Sequence, residues 1–426
     1  MSFTQGLSGL NAASKNLEVI GNNVANANTV GFKGSIAEFG DVFAAALSGS
    51  GTAQIGIGAK LETVAQQFSQ GNISITNNPL DMAINGPGFF ILKGGAGGAV
   101  YTRNGQFQLD NAGYIVSSAG HRLQGYPAGA TAVGGAGTQD LQIPTASMNA
   151  AASTKIAVGL NLDSTSPIIN PVTTPFDPTS PATYTNSTST TAYDSQGNKQ
   201  IVTMFFAKRA MNQWDVYQTT SDPNSTVVPP VYLDPAVNPG VGNWVPMGGA
   251  SPTLSFDVNG TNGSALPFVG ASFTALSGAA QQLTFDFTTA TQFSADFGVT
   301  ALTTDGYAQG TLSGFNVSPD GTILGRYSNG KTQTLGTVAS ATFANMNGLQ
   351  PLGDNEWAET GASGVPLKGT PGTGLRGLLQ TSATEDSNVD LTAELVNMIT
   401  AQRVYQANAQ TIKTQDAVMQ TLINLR

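Results

Sequence analysis

The C-terminal end of the chain is free of the two residues that interrupt helices most strongly. Leu378 to Arg426 contain no glycine and no proline, although the whole chain has 51 glycines and 21 prolines. Because these residues are the least favourable inside a helix, we predict a long α-helix in this segment. Ser387 and Asp390 have the spacing of a capping box, which places the helix within residues 387–426.

This predicted helix carries an apolar stripe with heptad spacing, which only Gln402 and Asp416 interrupt. A stripe of this kind is typical of a coiled-coil seam. Residues 1–30 show the same spacing in a helix that glycines weaken. The stripe residues are Phe3, Leu7, Leu10, Leu17, Val24, Leu391, Leu395, Met398, Tyr405, Ala409, Ile412, Met419 and Ile423. We predict that the two ends pair as a coiled coil, and that the stripe residues form either that intramolecular seam or contacts between copies of the chain.

The remainder of the chain predicts β structure in short alternating runs separated by turn signals. The middle of the chain holds most of the prolines, so we predict an all-β domain inserted into a discontinuous β domain. The expected fold class is mainly β, with two β-rich outer domains and a helix at each terminus. The predicted boundaries are 1–30 for the N-terminal helix, 31–70 for a connecting segment, 71–146 and 301–365 for the discontinuous β domain, 147–300 for the insert, 366–386 for a linker and 387–426 for the C-terminal helix.

Several pairs of runs predict β-hairpins. The run that starts at Phe107 and the run that starts at Phe315 share the spacing of their apolar residues, and each returns after a turn that contains glycine. We expect these two hairpins in one domain, formed by segments from both sides of the insert. Within the insert, residues 199–206 and 212–218 are predicted to pair across a short polar turn.

Composition argues against several classes of function. Only 10% of the residues are charged and the net charge is −9, so the chain lacks the basic patch that a nucleic-acid partner requires. No run approaches the roughly 20 apolar residues that span a bilayer, so we expect no membrane insertion. With no cysteine, and with His121 as the only histidine, we predict no catalytic, metal or cofactor site and no enzymatic activity.

Two long motifs at opposite ends of the chain resemble the signatures of bacterial flagellar rod and hook proteins. The first runs from Asn22 to Lys33 and the second from Asn388 to Asn408. The signature residues are Asn22, Asn23, Asn26, Asn28, Thr29, Gly31, Phe32, Lys33, Asn388, Asp390, Glu394, Gln402 and Arg403. Motifs in the body resemble the hook members of this family, and they lie at residues 193–198, 214–217, 305–308, 326–330 and 348–360.

The resemblance implies a hook subunit, which is a structural protein that polymerises with copies of itself into a curved, flexible tube. Such a tube transmits torque from rod to filament as a universal joint, and its central channel serves export. The resemblance also implies contacts with rod, hook-cap and hook–filament junction proteins and with the flagellar export apparatus. It implies a location in the hook and basal body of the bacterial flagellum, outside the cell after type III export, without a cleaved signal peptide.

Two alternatives remain open from the sequence. A distal rod-type axial protein has the same terminal motifs, although a rod protein is expected to lack the insert. A secreted adhesive or carbohydrate-binding β protein would use the insert for recognition. If the terminal helices form the inner tube, a candidate polar face toward the channel consists of Gln402, Asn408, Gln415 and Gln420.

Overall fold

The computed structural model describes residues 2–42, 56–95, 97–130, 137–144, 146–170, 172–221, 232–233, 254–264, 268–270, 273–275, 277 and 279–424. The chain divides into two compact units. Unit 1 comprises Met1–Thr145, Gly314–Arg326 and Thr332–Arg426, and unit 2 comprises Ala146–Ser313 and Tyr327–Lys331. The expectation of a mainly β chain with a helix at each end is confirmed.

The two long helices are α1 (Ser2–Ala25) and α2 (Leu391–Asn424). Helix α2 begins after Asp390, whose Oδ1 accepts hydrogen bonds from the backbone N–H groups of Thr392 at 2.8 Å and Ala393 at 3.2 Å. These bonds satisfy two donors that have no partner within the helix. The hydroxyl of Ser387 accepts from Val389 instead. The helix therefore starts slightly later than predicted, with Asp390 as its N-cap.

The strands of unit 1 that precede unit 2 are β1 (Ser35–Val42), β2 (Gly58–Gln66), β3 (Ile73–Ile75), β4 (Met82–Asn85), β5 (Phe89–Lys93), β6 (Ala99–Thr102), β7 (Phe107–Leu109), β8 (Ile115–Ser117), β9 (Arg122–Pro127) and β10 (Gln139–Asp140). Strands β1 and β2 pair antiparallel, with a register shift between Glu38 and Phe39. Residues 31–70, which the sequence predicts as an irregular connecting segment, thus contain two paired strands. No short turn motif marks this pairing, because many residues separate the two strands.

The strands of unit 2 are β11 (Lys155–Asp163), β12 (Asn186–Tyr193), β13 (Lys199–Ala210), β14 (Gln213–Ser221), β15 (Tyr232–Leu233), β16 (Leu254–Ser255), β17 (Phe268–Val269), β18 (Phe273–Thr274), β19 (Ala280–Gln281), β20 (Thr284–Asp286), β21 (Thr291–Phe293) and β22 (Gly298–Thr304). One sheet has the order β17-β20-β11-β21, with β22 on β11, and another has the order β12-β13-β14-β15, with β16 on β14. The predicted hairpin of residues 199–206 with 212–218 is confirmed as β13 and β14.

Side chains from both sheets of unit 2 share one core. Ile156 and Phe285 come from the sheet around β11, and Phe206 and Trp214 come from the hairpin of β13 and β14. All four side chains are fully buried. Strand β22 pairs antiparallel with β11, so the β structure of this unit continues past residue 300, where the sequence places its end.

Unit 2 should lose stability in acid through one ion pair. Lys155 Nζ lies 2.8 Å from Asp286 Oδ2, and this hydrogen bond is the largest of the effects that lower the pKa of Asp286 to about 2. A carboxyl group whose pKa is lowered in the folded state contributes stability above its unfolded pKa. The contribution is therefore lost as the pH falls from about 4 to about 2. In urea titrations across this range, Asp286→Asn should flatten the pH profile, and an unchanged profile would contradict the assignment.

The strands after the first part of unit 2 are β23 (Leu312–Val317), β24 (Thr322–Tyr327), β25 (Thr332–Val338), β26 (Ser340–Thr342), β27 (Gln350–Gly353), β28 (Glu356–Ala358), β29 (Leu367–Gly369), β30 (Leu378–Thr381) and β31 (Ala383–Glu385). The main sheet has the order β23-β24-β25-β9-β5-β6-β28-β27. The two hairpins predicted at Phe107 and Phe315 are confirmed as β7 with β8 and β23 with β24, and both belong to this sheet.

Residues 366–386 are not the linker that the sequence predicts. Strand β29 pairs with β26, β30 pairs with β4, and β31 pairs with β3. Leu379 and Ala383 are buried in these pairings. The segment from Leu378 to Glu385 is therefore extended rather than helical, because tertiary pairing overrides a weak local preference.

Candidate functional site

The signature residues from both ends of the chain meet at a buried ionic cluster beside the helices. Lys33 Nζ lies 2.6 Å from Glu385 Oε1, and Arg103 Nη1 lies 3.1 Å from Glu385 Oε2. The side chains of Lys33 and Glu385 are completely buried, and that of Arg103 is 3% exposed. We call these three residues, together with Asn23 and Asn388, the joint. It connects the segment after α1, the main β sheet and the segment before α2.

Backbone groups add hydrogen bonds to the cluster. Lys33 Nζ donates to the carbonyl of Ser69 at 2.8 Å, and the N–H of Gly71 donates to Glu385 Oε1 at 2.9 Å. Arg103 Nη2 donates to the carbonyl of Gly86 at 3.0 Å. Burial lowers the pKa of Lys33, and the charge of Glu385 opposes that shift. One carboxylate thus balances two buried cations, so the stability of the cluster depends on Glu385.

Two asparagines of the signatures bind the same short turn. The side chain of Asn23 accepts from the N–H of Ser35 at 2.9 Å and donates to the Ser35 carbonyl at 2.8 Å. Asn388 Oδ1 accepts from the N–H of Gly34 at 2.8 Å, and its Nδ2 donates to the carbonyl of Gln67 at 2.7 Å. Motifs from opposite ends of the chain therefore fix one stretch of backbone.

Gly31 has the one backbone position in this motif that excludes other residues. Its φ is +72°, and a Cβ there would lie 2.6 Å from the backbone nitrogen of Asn104. The N–H of Gly31 donates to the carbonyl of Glu385 at 2.7 Å. A side chain would combine strain at positive φ with a backbone collision. Elsewhere in the motif, Thr29 Oγ1 donates to Asn26 Oδ1 at 3.2 Å.

Some signature residues lie outside the joint. Phe32 is half-buried and borders a pocket with Trp357. The exposed signature residues are Asn22, Asn28, Asp390, Gln402 and Arg403. Sequence similarity alone does not separate these exposed positions from the buried ones.

Helices α1 and α2 pack antiparallel on a face rich in small residues. Near the start of α1, the Gly6 Cα faces Ile412 and the Gly9 Cα faces the side chain of Asn408. Near its end, Asn23 Nδ2 donates to Glu394 Oε1 at 3.2 Å. Glycine allows the two backbones to approach closely, as it does in other tightly packed helix pairs.

Most of the predicted stripe residues lie beside this contact face rather than on it. Leu7 and Leu10 each follow a contact glycine by one position, whereas the stripe residue Ile412 faces Gly6. Phe3 and Leu7 are 51% and 44% exposed. The other exposed stripe residues are Leu391, Leu395, Tyr405, Met419 and Ile423, and the half-buried ones are Leu10, Leu17, Val24, Met398, Ala409 and Ile412. The stripe therefore provides only part of the packing within the chain, because small side chains rather than large apolar ones determine how the helices approach.

The four residues predicted to line a channel are not on one face. Gln402 and Gln420 are exposed, whereas Asn408 contacts Gly9 of α1 and Gln415 is half-buried. Residues 18 apart in a helix share a face, but residues 6 or 13 apart do not. The channel hypothesis is therefore kept only for Gln402 and Gln420.

Two glycines of α1 should respond differently to replacement by alanine. Gly21 has no atom within 4 Å of the position of an added Cβ. Gly21→Ala should therefore raise the free energy of unfolding by about 1 kcal/mol, which is the difference in helix propensity. At Gly9 the added methyl would lie 2.9 Å from the end of the Asn408 side chain, which must move. Gly9→Ala should therefore stabilise the chain less than Gly21→Ala, and equal stabilisation in urea titrations of both variants would contradict the packing described here.

Among the described residues, no group of three or more His, Asp or Glu side chains could hold a metal ion. In the same part of the chain, no helix is long and apolar enough to cross a membrane. His121 has a structural neighbour, since its Nδ1 lies 2.9 Å from Glu356 Oε1. The site that the structure offers is thus the helix pair with its joint.

Comparison with known proteins agrees with this arrangement. Residues 5–33 match the model of flagella basal body rod proteins, and residues 380–425 match the C-terminal model of flagellar basal body rod FlgEFG proteins. Residues 83–160 match the flagellar hook protein FlgE/F/G D1 domain, and residues 161–307 match the flagellar basal body protein FlaE D2 domain. The chain is 41% identical over 433 residues to the flagellar hook protein FlgE of Escherichia coli, covering all of both chains. It belongs to the flagellar hook protein family.

More distant hook proteins are also similar over their full length. The chain is 32% identical to the hook protein FlgE of Treponema pallidum, covering 100% of this chain and 99% of the relative. In fold, it resembles the crystal structure of the Helicobacter pylori hook protein FlgE2, with 14% identity and a TM-score of 0.51. That match covers 72% of this chain and 99% of the other. The predicted resemblance to flagellar hook proteins is confirmed.

Within this hook-family chain, sequence reasoning missed two partners of the joint. Arg103 and Glu385 lie outside the two terminal motifs, so neither is among the signature residues. Arg103 follows β6, and Glu385 falls at the end of the short β31. Their burial depends on strand pairings that no local pattern indicates.

Proposed function

We propose that this chain is the structural subunit of a flagellar hook. In this proposal, copies polymerise into a curved, flexible tube that transmits torque from rod to filament as a universal joint and encloses a channel for export. The observation that carries the proposal is the apolar surface left exposed on the helix pair. Membership of the hook protein family supports it.

The exposed apolar side chains on the helices form an extensive set. They are Phe3, Leu7, Leu391, Leu395, Val396, Ile399, Val404, Tyr405, Val418, Met419 and Ile423. Exposed apolar surface of this extent usually marks a protein interface. Covering the roughly half of one such side chain that is still exposed contributes about 1 kcal/mol. Neighbouring copies would provide the missing cover, which is why we assign the stripe residues to polymer contacts.

The proposal includes partners and a location. The polymer would contact rod, hook-cap and hook–filament junction proteins at its ends, and its subunits would pass through the flagellar export apparatus. It would lie outside the cell, in the hook and basal body of the flagellum. Gln402 and Gln420 would offer an uncharged polar surface to a chain that passes through the channel.

Electron microscopy of the purified protein tests the proposal. Increasing protein or salt concentration should yield hollow, curved tubes, because the exposed apolar side chains then find partners. A chain without residues 1–30 and 387–426 is the matched control and should stay dispersed. Straight, stiff tubes would favour a distal rod-type protein. Glycan binding without tube formation would favour an adhesive protein.

A further inference from the structure

A groove lies between α1, β1 and α2, beside the joint. It has a volume of about 320 Å³. Apolar side chains of Ala13, Ile20 and Val404 line it together with polar side chains of Asn16 and Glu394. The groove is therefore lined by both apolar and polar side chains, with the carboxylate of Glu394 at its side.

Only one of the two carboxylate oxygens of Glu394 has a hydrogen-bond partner among the described residues. Its Oε1 accepts a hydrogen bond from Asn23 at 3.2 Å. Its Oε2 is buried and has no hydrogen-bond partner among the described residues. A buried acceptor without a donor is costly, and a charged one more so. Glu394 Oε2 thus lacks a donor among the described residues, and a cationic donor fits this carboxylate best.

The helices themselves carry few charges that could provide this donor. Lys15 is already paired with Glu18 at 2.7 Å. In the described part of the chain, Arg403 and Lys413 on α2 are exposed and form no ion pair or hydrogen bond. Both cations could therefore reach another molecule.

The positions of Arg403 and Lys413 around α2 distinguish these two cations. Arg403 is nine residues from Glu394, so at 100° per residue it points to the opposite side of α2. Lys413 is nineteen residues away and about 100° from Glu394. Only Arg403 therefore lies on the face of α2 that is opposite the groove.

We propose that the groove binds Arg403 of a neighbouring copy of this chain, whose guanidinium donates to the carboxylate of Glu394. This inference rests on the proposed function. Glu394 and Arg403 lie on opposite faces of α2. A two-fold dimer uses the same surface patch on both copies, so it cannot pair both residues. They produce a head-to-tail contact that repeats from copy to copy, which is how open helical polymers form. The aliphatic part of the arginine would pack on Ala13, Ile20 and Val404.

Mixing two charge-reversed variants of the chain tests the contact. Glu394→Arg and Arg403→Glu are made separately in the full chain, and the critical concentration for assembly is measured by sedimentation. Each variant alone places like charges in the contact, so its critical concentration should rise at least about tenfold. In an equimolar mixture, alternating copies restore an opposite pair at each contact. The mixture should therefore assemble near the wild-type concentration.

The controls separate this contact from effects on folding and from the hook assignment. Lys413→Glu makes the same charge change on α2 and should assemble normally. Arg403 is exposed, so Arg403→Glu should keep the circular dichroism and melting temperature of the wild type. Normal assembly of Arg403→Glu, or a mixture that stays as defective as the single variants, would overturn the proposed contact. Failure of the wild-type chain to assemble would instead overturn the proposed function.

Discussion

Glu385→Gln should lower the free energy of unfolding of unit 1 by about 3–5 kcal/mol, the usual cost of removing one partner from a buried ion pair. The variant leaves Lys33 and Arg103 buried without a balancing charge. It also weakens the hydrogen bond from the N–H of Gly71. Urea titration followed by circular dichroism measures the change.

Lys33→Met should be less damaging than Glu385→Gln. It leaves Glu385 paired with Arg103, and the Ser69 carbonyl keeps a hydrogen bond from Asn388 Nδ2 at 3.3 Å. Its main cost is therefore the loss of the hydrogen bonds that Lys33 donates, about 1–3 kcal/mol. Lys60→Met is the matched exposed control, since Lys60 lies 3.9 Å from Glu62 and both side chains are more than half exposed. It should change stability by no more than about 0.5 kcal/mol. A larger loss of stability in Lys33→Met than in Glu385→Gln would contradict the charge balance described for the joint.

Leu395→Gln combined with Met419→Gln should prevent tube formation at concentrations where the wild type assembles. Both side chains are exposed on α2, at 44% and 59%, so the folded subunit should tolerate the change. If neighbouring copies bury the roughly half of each side chain that is still exposed, their loss costs about 1 kcal/mol each. The critical concentration should then rise by about one to two orders of magnitude, as sedimentation and electron microscopy would show.

Leu352→Gln with Val365→Gln is the matched control for this experiment. These residues are 54% and 82% exposed but lie outside the helices. The control should leave the critical concentration close to that of the wild type. Equal defects in the two double variants would show that apolar surface in general, and not the stripe residues, drives association.

The elements with local signals were predictable, and the contacts between them were not. The absence of glycine and proline indicated α2, and turn residues indicated the hairpin of β13 with β14. The heptad stripe indicated helix pairing but not the contact face. That face depends on Gly6 and Gly9, which local propensity treats as unfavourable in a helix. These glycines favour the structure only because Asn408 and Ile412 pack against them.

The joint was hidden from sequence reasoning for a related reason. Three of its members, Asn23, Lys33 and Asn388, lie in the signature motifs, so similarity could identify them. Glu385 forms its ion pairs with residues 282 and 352 positions away, and no periodic pattern reports such distances. The composition of the same segment predicts a helix. Its pairing with β3 and β4 makes it extended instead.

The late position of Glu385 also sets an order of events for a newly made chain. A ribosome releases the N-terminus first, so Lys33 and Arg103 emerge long before the carboxylate that neutralises them. Helix α1 likewise cannot pack against Asn408 and Ile412 until the last segment of the chain has been synthesised. Contacts so distant along the chain form slowly and late. Unit 1 therefore cannot mature as a nascent fragment, whereas all residues of unit 2 are present before the final segment is made.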